Sequence, residues 1–221
     1  MDKVKALEQM CDNPFFSIIL PLHNSAGFMR DMLDSIRSQS FTDYELIAIC
    51  DRCSDNTAEI AREYTDTVLE VDFGKAGLTR NAGLDIARGE WILFSDDDDW
   101  WLHDYAFETI HDKLVWNDCD VLAFGFYWKQ GDRNVLMPFF HPKGTIWVAP
   151  WTKAWRRSFI GEHRFPAWKH SDDLGFAEEM YPLVKKWDYL DHPFYYYNYM
   201  HAGSTQDKLA KGELSYDDMR E

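Results

Sequence analysis

Positive charge is scarce in this chain. Lys and Arg number 23 against 38 Asp and Glu, a formal net charge of −15 over 221 residues. That deficit argues against a nucleic-acid or anionic-membrane surface, because such partners need clustered cations. A small anionic ligand stays compatible, since a metal ion and a few local cations can hold it. Cysteine is equally sparse. Only Cys11, Cys50, Cys53 and Cys119 occur, and only Cys50 and Cys53 are close in sequence. Four such residues make no disulfide framework, so a reducing compartment is expected. No apolar run approaches the ~18 residues of a membrane-spanning helix. The first residues, "MDKVKALEQMCDNPFF", lack the apolar core of a signal peptide. Internal repeats and linkers are missing as well. The expectation is one cytoplasmic domain, with peripheral attachment at the inner face of a membrane left open.

Apolar residues, in contrast, are plentiful. They make up 46% of the chain and aromatics 16%, enough for a substantial core. "FFSIILPL" (Phe15–Leu22) is a short apolar run, as expected of a strand buried on both faces. "SAGFMRDMLDSIRSQ" carries Phe28, Met32, Leu33 and Ile36 at helical spacing, with Ser25 as its N-cap. "YELIAIC" and "TVLEVD" read as strands separated by a helix that Ser54 or Asp55 opens. "AGLTRNAGLDIAR" reads as a helix and "EWILFSD" as the fourth strand. This alternation predicts an α/β fold with a mostly parallel sheet and right-handed crossovers. Beyond about residue 115, "DCDVLAFGFYWK", "RNVLMPFF" and "YLDHPFYYYNYM" read as strands, while "VAPWTKAWRRSFI" and "DDLGFAEEMYPLVKKW" read as helical.

The acidic residues are not evenly spread. "WILFSDDDDW" runs from a buried strand directly into four aspartates, Asp96 to Asp99. A solvated turn is the ordinary explanation of a charge run. A turn after a buried strand more often carries Gly, Asn or Pro, however. Asp96 and Asp98 alternate and can converge on one hard cation. Mg²⁺ typically takes one or two carboxylates and completes its shell with phosphate oxygens. "CDRCSDNT" forms a second acidic strand end. Asp55 is explained as a helix cap, whereas Asp51 offers acceptors to a base or ribose.

Taken in order, these stretches resemble the family 2 inverting glycosyltransferases of the GT-A fold, from about Phe15 to Thr205. That family has a proline–aromatic–Asn turn, a "DDGSTD"-like loop, an "ARN-G" helix start and a "D-x-D-D" metal motif. Four pieces in matching order and context are specific where one would be weak. The resemblance implies nucleotide-sugar binding by Pro21, Asn24, Asp51, Lys75, Arg80, Asp96 and Asp97, with His23 where Tyr is usual. Cys50 stands at the loop's first aspartate, Arg52 at its glycine and Asp97 at a small residue of the metal motif. Asp96, Asp98 and His201 would hold Mn²⁺ or Mg²⁺. "KHSDDLGFAEEM" resembles the family's "ED-x-x-F" helix start, which makes Asp173 the catalytic base and Asp172 its neighbour. The structural alternative there is an N-cap pair of Ser171 and Asp172. "PWTKAWRRSF" resembles "W-x-K-x-x-x-R", and Trp147, Trp151, Trp155 and Trp168 serve either sugar stacking or the core.

The implied architecture is a single GT-A domain over residues 1–221. Residues 15–115 form a Rossmann-like nucleotide-sugar half, 116–205 an acceptor half and 206–221 a polar tail. The implied reaction moves a sugar from a nucleoside-diphosphate donor, UDP-linked, to a carbohydrate or lipid-linked glycan acceptor. By association such chains serve surface-polysaccharide synthesis. Two other readings compete: a nucleotide-binding protein that kept the fold without catalysis, and a redox pair in "CDRC".

Overall fold

The computed structural model describes residues 13–130, 133–138, 147–198 and 210–213. Among these residues, nine strands form one sheet in the order β3-β2-β1-β4-β8-β6-β9-β5, with β7 on β6. The first four are β1 (Phe16–Leu22), β2 (Tyr44–Asp51), β3 (Val68–Val71) and β4 (Trp91–Phe94), parallel to one another. Ile18, Ile19 and Leu20 are consecutive and fully buried. Successive side chains point to opposite faces, so both faces of β1 are covered. The order β3-β2-β1-β4 reverses direction at β1, and ligands of such sheets bind beyond the carboxyl ends of the strands at that reversal.

The helices cover this parallel half. α1 (Arg30–Arg37) buries Met32, Leu33 and Ile36, the stripe expected from its periodicity. It starts later than the sequence suggests. Residues 25–29 form a turn in which the N–H groups of Phe28 and Met29 both donate to the Ser25 carbonyl, at 3.0 Å. Ser25 caps nothing with its side chain, because its hydroxyl donates to Asp97 instead. α2 (Thr57–Arg62) has Asn56 at its cap position with no side-chain cap bond, while the Asp55 carboxylate before it accepts the Thr57 N–H at 3.1 Å. α3 (Ala76–Ile86) lies against β1 and β2, and Gly83 makes that approach close.

Beyond β4 the sheet turns mixed. β6 (Val121–Gln130) pairs in parallel with β9 (Trp187–Tyr197) and antiparallel with β8 (Lys153–Arg156), then with β7 (Arg133–Met137). β5 (Trp100–Trp101) closes the edge against β9, and α4 (Ala106–Val115) follows it. The segment 149–160 departs from the helix expected of it. It is a short 3₁₀ turn, then β8, then α5 (Arg157–Ile160). β8 occupies the gap between β4 and β6, so both ladders are completed there, and that tertiary demand overrides helix propensity. α6 (Asp172–Met180) ends as expected before Pro182, passing into a 3₁₀ turn over Tyr181–Leu183. Among the described residues no helix is long and apolar enough to cross a membrane.

Gly83 gives a direct test of packing against propensity. A Cβ there would lie 2.6 Å from Ile19 Cγ2 and 3.0 Å from Ile49 Cδ1, both on buried side chains. Helix propensity alone favours Ala over Gly by ~1 kcal/mol. Overpacking costs ~1–3 kcal/mol, so Gly83→Ala is expected to destabilise on balance in urea unfolding. A stabilised variant would refute this account of the α3 contact.

Candidate active site

The pairing registers bring four loops to one edge. Leu22 lies beside Cys50, Asp51 beside Val71, and Ile19 beside Phe94. The residues that follow β1, β2, β3 and β4 therefore emerge together. They enclose a cleft of about 340 Å³ lined by Pro21, Asp51, Lys75, Arg80 and Asp96 to Asp98, all anticipated from sequence. Leu22, His23, Gly74, Ala76 and Thr79 line it too. Gly74, Ala76 and Thr79 were not singled out beforehand; their only signal is position just after the third strand. Asn24 is not a lining residue. At φ 51°, it accepts from the Ser54 N–H at 2.8 Å and ties the first loop to the second. His201 lies outside the described residues.

Asp51 is 5% exposed and its carboxylate is already occupied. It accepts N–H groups from Phe73 (2.8 Å), Gly74 (2.8 Å) and Lys75 (3.3 Å), and the Thr79 hydroxyl at 2.9 Å. Burial works to raise its pKa, but these donors hold it below the usual carboxylate range. Asp51, at the cleft wall, thus also anchors the loop before α3.

Arg80 joins the two halves of the site. Its side chain is 9% exposed; Nη2 donates to Asp96 at 2.6 Å and Nη1 to Asp172 at 2.7 Å. Burial acts to lower its pKa, yet Asp96 and Asp172 hold the guanidinium firmly charged. Its Nε has no hydrogen-bond partner among the described residues. Gly77 lets α3 approach this junction: a Cβ there would meet Pro166 O at 2.7 Å and Asp172 Cβ at 2.9 Å. Asn81 clasps Phe165 reciprocally, each bond 2.9 Å, and Lys75 Nζ donates to Ala167 O at 2.6 Å. The Ser171–Asp172 cap is not formed. Ser171 makes no side-chain cap bond, and Asp172 turns to Arg80.

The four aspartates divide their work. Asp96 faces Arg80, yet burial raises its pKa further than that partner lowers it. Asp97 accepts from the Ser25 hydroxyl; burial and the Asp98 charge raise it to about 7. Asp99 is 1% exposed, accepts the Asn198 N–H at 2.8 Å, and is raised well above normal by burial and Asp98. Its Oδ2 has no partner among the described residues. The buried Tyr195 hydroxyl accepts the Asp96 N–H at 2.9 Å and fixes the backbone between them. Among the described residues no three His, Cys, Asp or Glu side chains preassemble a metal site. The oxygen donors of Asp96 and Asp98 fit a hard dication that takes two carboxylates and draws its other ligands from phosphate and water.

Asp173 stands beside this cluster in the first turn of α6. Burial raises its pKa, the Asp172 charge adds to that, and Arg80 opposes it. One oxygen accepts the Leu174 N–H at 2.8 Å. Lys153, fully buried, donates to Trp147 O (2.5 Å), Ala149 O (2.9 Å) and Thr152 Oγ1 (2.6 Å), so it organises the turn before β8. Trp155 and Trp151 belong to the core: Trp155 packs on Phe176, and Trp151 stacks on Tyr195 at 4.6 Å. Neither offers a face to a sugar. The redox reading of "CDRC" also fails. Cys50 is buried, and burial pushes its thiol up to about 12, away from thiolate reactivity.

Known proteins resemble this chain in sequence and in fold. EpsH, a putative glycosyltransferase of Bacillus subtilis (strain 168), is 27% identical over 228 residues, covering 90% of this chain and 65% of EpsH. TarS of Staphylococcus aureus (strain Mu50), a poly(ribitol-phosphate) beta-N-acetylglucosaminyltransferase, is 29% identical over 205 residues, covering 82% of this chain and 35% of TarS. The chain thus spans about a third to two thirds of the length of these curated relatives. The crystal structure of S. aureus TarS 1–349 in complex with UDP superposes with a TM-score of 0.74 at 25% identity, over 83% of this chain and 60% of that one. The fold is therefore of the GT-A type. The profile described as Glycosyl transferase family 2 matches residues 17–178, well over half of the sequence, and the chain belongs to that family.

Proposed function

We propose that this chain is a metal-dependent inverting glycosyltransferase. It moves a sugar from a UDP-linked donor to a hydroxyl of a glycan or lipid-linked acceptor. The observation that carries this reading is one continuous set of contacts. Acidic Asp96 to Asp98 line a cleft at the strand ends, and Arg80 links Asp96 directly to the helix that bears Asp173. The uridine assignment draws on TarS, whose structure was solved with UDP.

Asp96 and Asp98, with His201, would hold Mn²⁺ or Mg²⁺, and the bound ion would offset charge developing on the departing diphosphate. Arg80 and Lys75 add positive charge at the cleft wall. Asp172, fixed by Arg80, keeps the first turn of α6 in place. The acceptor oxygen bonds to the anomeric carbon as the bond to the diphosphate oxygen breaks. Asp173 takes the hydroxyl proton, and attack opposite the leaving group inverts the configuration. A carboxylate with a raised pKa is a stronger base than an exposed one, which suits this task.

Three outcomes test the reading. Asp173→Asn should lower transfer about 10³-fold or more while UDP binding changes little, and calorimetry beside a transfer assay separates the two. The wild-type rate should fall as pH drops through the Asp173 pKa, with its acid limb above the ordinary carboxylate range. In thermal-shift measurements UDP should stabilise the protein strongly only with Mn²⁺, and Asp98→Asn should remove the metal-linked part. No response to any nucleoside diphosphate would refute the proposal. Lastly, Asp97 has a folded pKa near 7 against 3.8 in the ordinary state, so ionising it opposes folding as pH rises. Asp97→Asn should therefore raise the melting temperature of the ligand-free protein at pH 8, with a smaller gain at pH 5.

A further inference from the structure

The acidic run leaves the sheet as a turn, and a strand from the other half of the chain holds both its ends. The Ser95 N–H is the last to join β1, donating to Ile19 O at 3.1 Å. The next ladder begins at Trp100, which pairs with Tyr196 of β9. Between these points the Asp99 N–H donates to Asp96 O at 3.4 Å. Asp96 to Asp99 therefore form one turn, with Asp97 and Asp98 at its centre. At the first corner the Asp96 N–H donates to the Tyr195 hydroxyl at 2.9 Å. At the last corner Asp99 accepts the Asn198 N–H at 2.8 Å. Tyr195 lies in β9, and Asn198 follows that strand directly.

The Tyr195 hydroxyl is an acceptor fixed in place. Its side chain is fully buried. The ring stacks on Trp151 at 4.6 Å and meets Trp101 edge-on at 5.2 Å. Its backbone is in register with Phe126 of β6 on one side and Trp101 of β5 on the other. Packing of this kind locks a side chain well enough to hold a site's geometry. The choice of acceptor also matters. A main-chain N–H turned inward at a buried group needs a partner there. A carboxylate in this place would add a fifth negative charge beside four, whereas a phenol hydroxyl is neutral. Asp96 is thus held twice: Arg80 takes its carboxylate and Tyr195 its main chain.

We propose that Tyr195 is a positioning residue for the cation site, fixing the turn so that the Asp96 and Asp98 carboxylates converge on one dication. This rests on the metal-assisted reading above. Tyr195 acts through the Asp96 main chain and not by contact with the ion. Without the hydroxyl the first corner of the turn is free to rotate. The two carboxylates then lose their common focus and the ion binds more weakly, while the ring still fills its place in the core.

Mn²⁺ titration at a fixed excess of UDP tests this, read by electron paramagnetic resonance with a protein-free UDP blank. The proteins are wild type, Tyr195→Phe and Phe194→Leu. Tyr195→Phe removes one oxygen and keeps the ring. Phe194 is fully buried on the same strand, so Phe194→Leu loosens β9 and leaves the hydroxyl in place. Tyr195→Phe should raise the Mn²⁺ dissociation constant about three-fold to ten-fold, as expected for one hydrogen bond. The Mn²⁺ concentration for half-maximal transfer should rise with it, while the rate at saturating Mn²⁺ stays within about two-fold, the mark of lost binding and not of lost chemistry. Phe194→Leu should lower the metal-free melting temperature and keep the wild-type constant. Three results overturn the inference alone: a wild-type constant in Tyr195→Phe, equal weakening in both variants, or a Tyr195→Phe chain that does not fold. A wild type that binds no Mn²⁺ beside UDP removes the metal-assisted reading as well.

Discussion

Arg80 carries one charge between two carboxylates from different halves of the chain. Asp96 follows the last parallel strand, and Asp172 opens the helix that bears Asp173. Both contacts are charge-assisted and largely removed from water, where such bonds are strong. A buried ion pair is weak evidence of stability, since desolvating the charges offsets their attraction. Removing one partner is another matter, because it leaves buried charge uncompensated. Arg80 is therefore best understood as fixing geometry. It sets the distance between the cleft where a donor would lie and the base that an acceptor would need.

The rest of the site follows from that placement. Gly77 lets α3 come near enough to Pro166 and Asp172 for the guanidinium to reach across. Asn81, one residue on, clasps the Phe165 backbone and stops the loop before α6 from drifting. Phe165 in turn stacks on Phe176 at 4.0 Å and meets Phe94 edge-on at 5.3 Å. Aromatic packing of this kind ties the polar junction to the core. A polar network works only when its members are held, and here the hydrophobic layer beneath it does the holding.

The parallel half was legible in sequence because its rules are local. Apolar runs bounded by helical periodicity gave β1 to β4, and the strand-end rule then located Asp51 and Asp96 to Asp98. β8 was not legible. Lys153 to Arg156 has no strand signature of its own; it is extended because β4 and β6 each lack a neighbour there. The role of Asp51 was hidden for a similar reason. Its identity announces an acceptor, but only the fold brings Phe73, Gly74 and Lys75 within reach to occupy it. The same holds for Trp151 and Trp155, whose aromatic character suits a sugar face equally well until the strands bury them.

What remains is the acidic run, which stability alone would not select. Burial raises the pKa of Asp96, Asp97 and Asp99, and the charge of a neighbouring aspartate raises each further. Folding thus concentrates negative charge that water would disperse. Part of that tension is contained by Arg80, the Ser25 hydroxyl and the Asn198 N–H, which donate to Asp96, Asp97 and Asp99. The remainder is a field directed into a cleft. Any cation entering it is attracted more strongly than by exposed carboxylates, because the surroundings screen less. If a cation binds there as proposed, it would recover part of the stability that this clustering gives up. Strain of this kind persists where the surrounding structure over-determines it, and here Arg80 and the strands β1 and β4 supply that support.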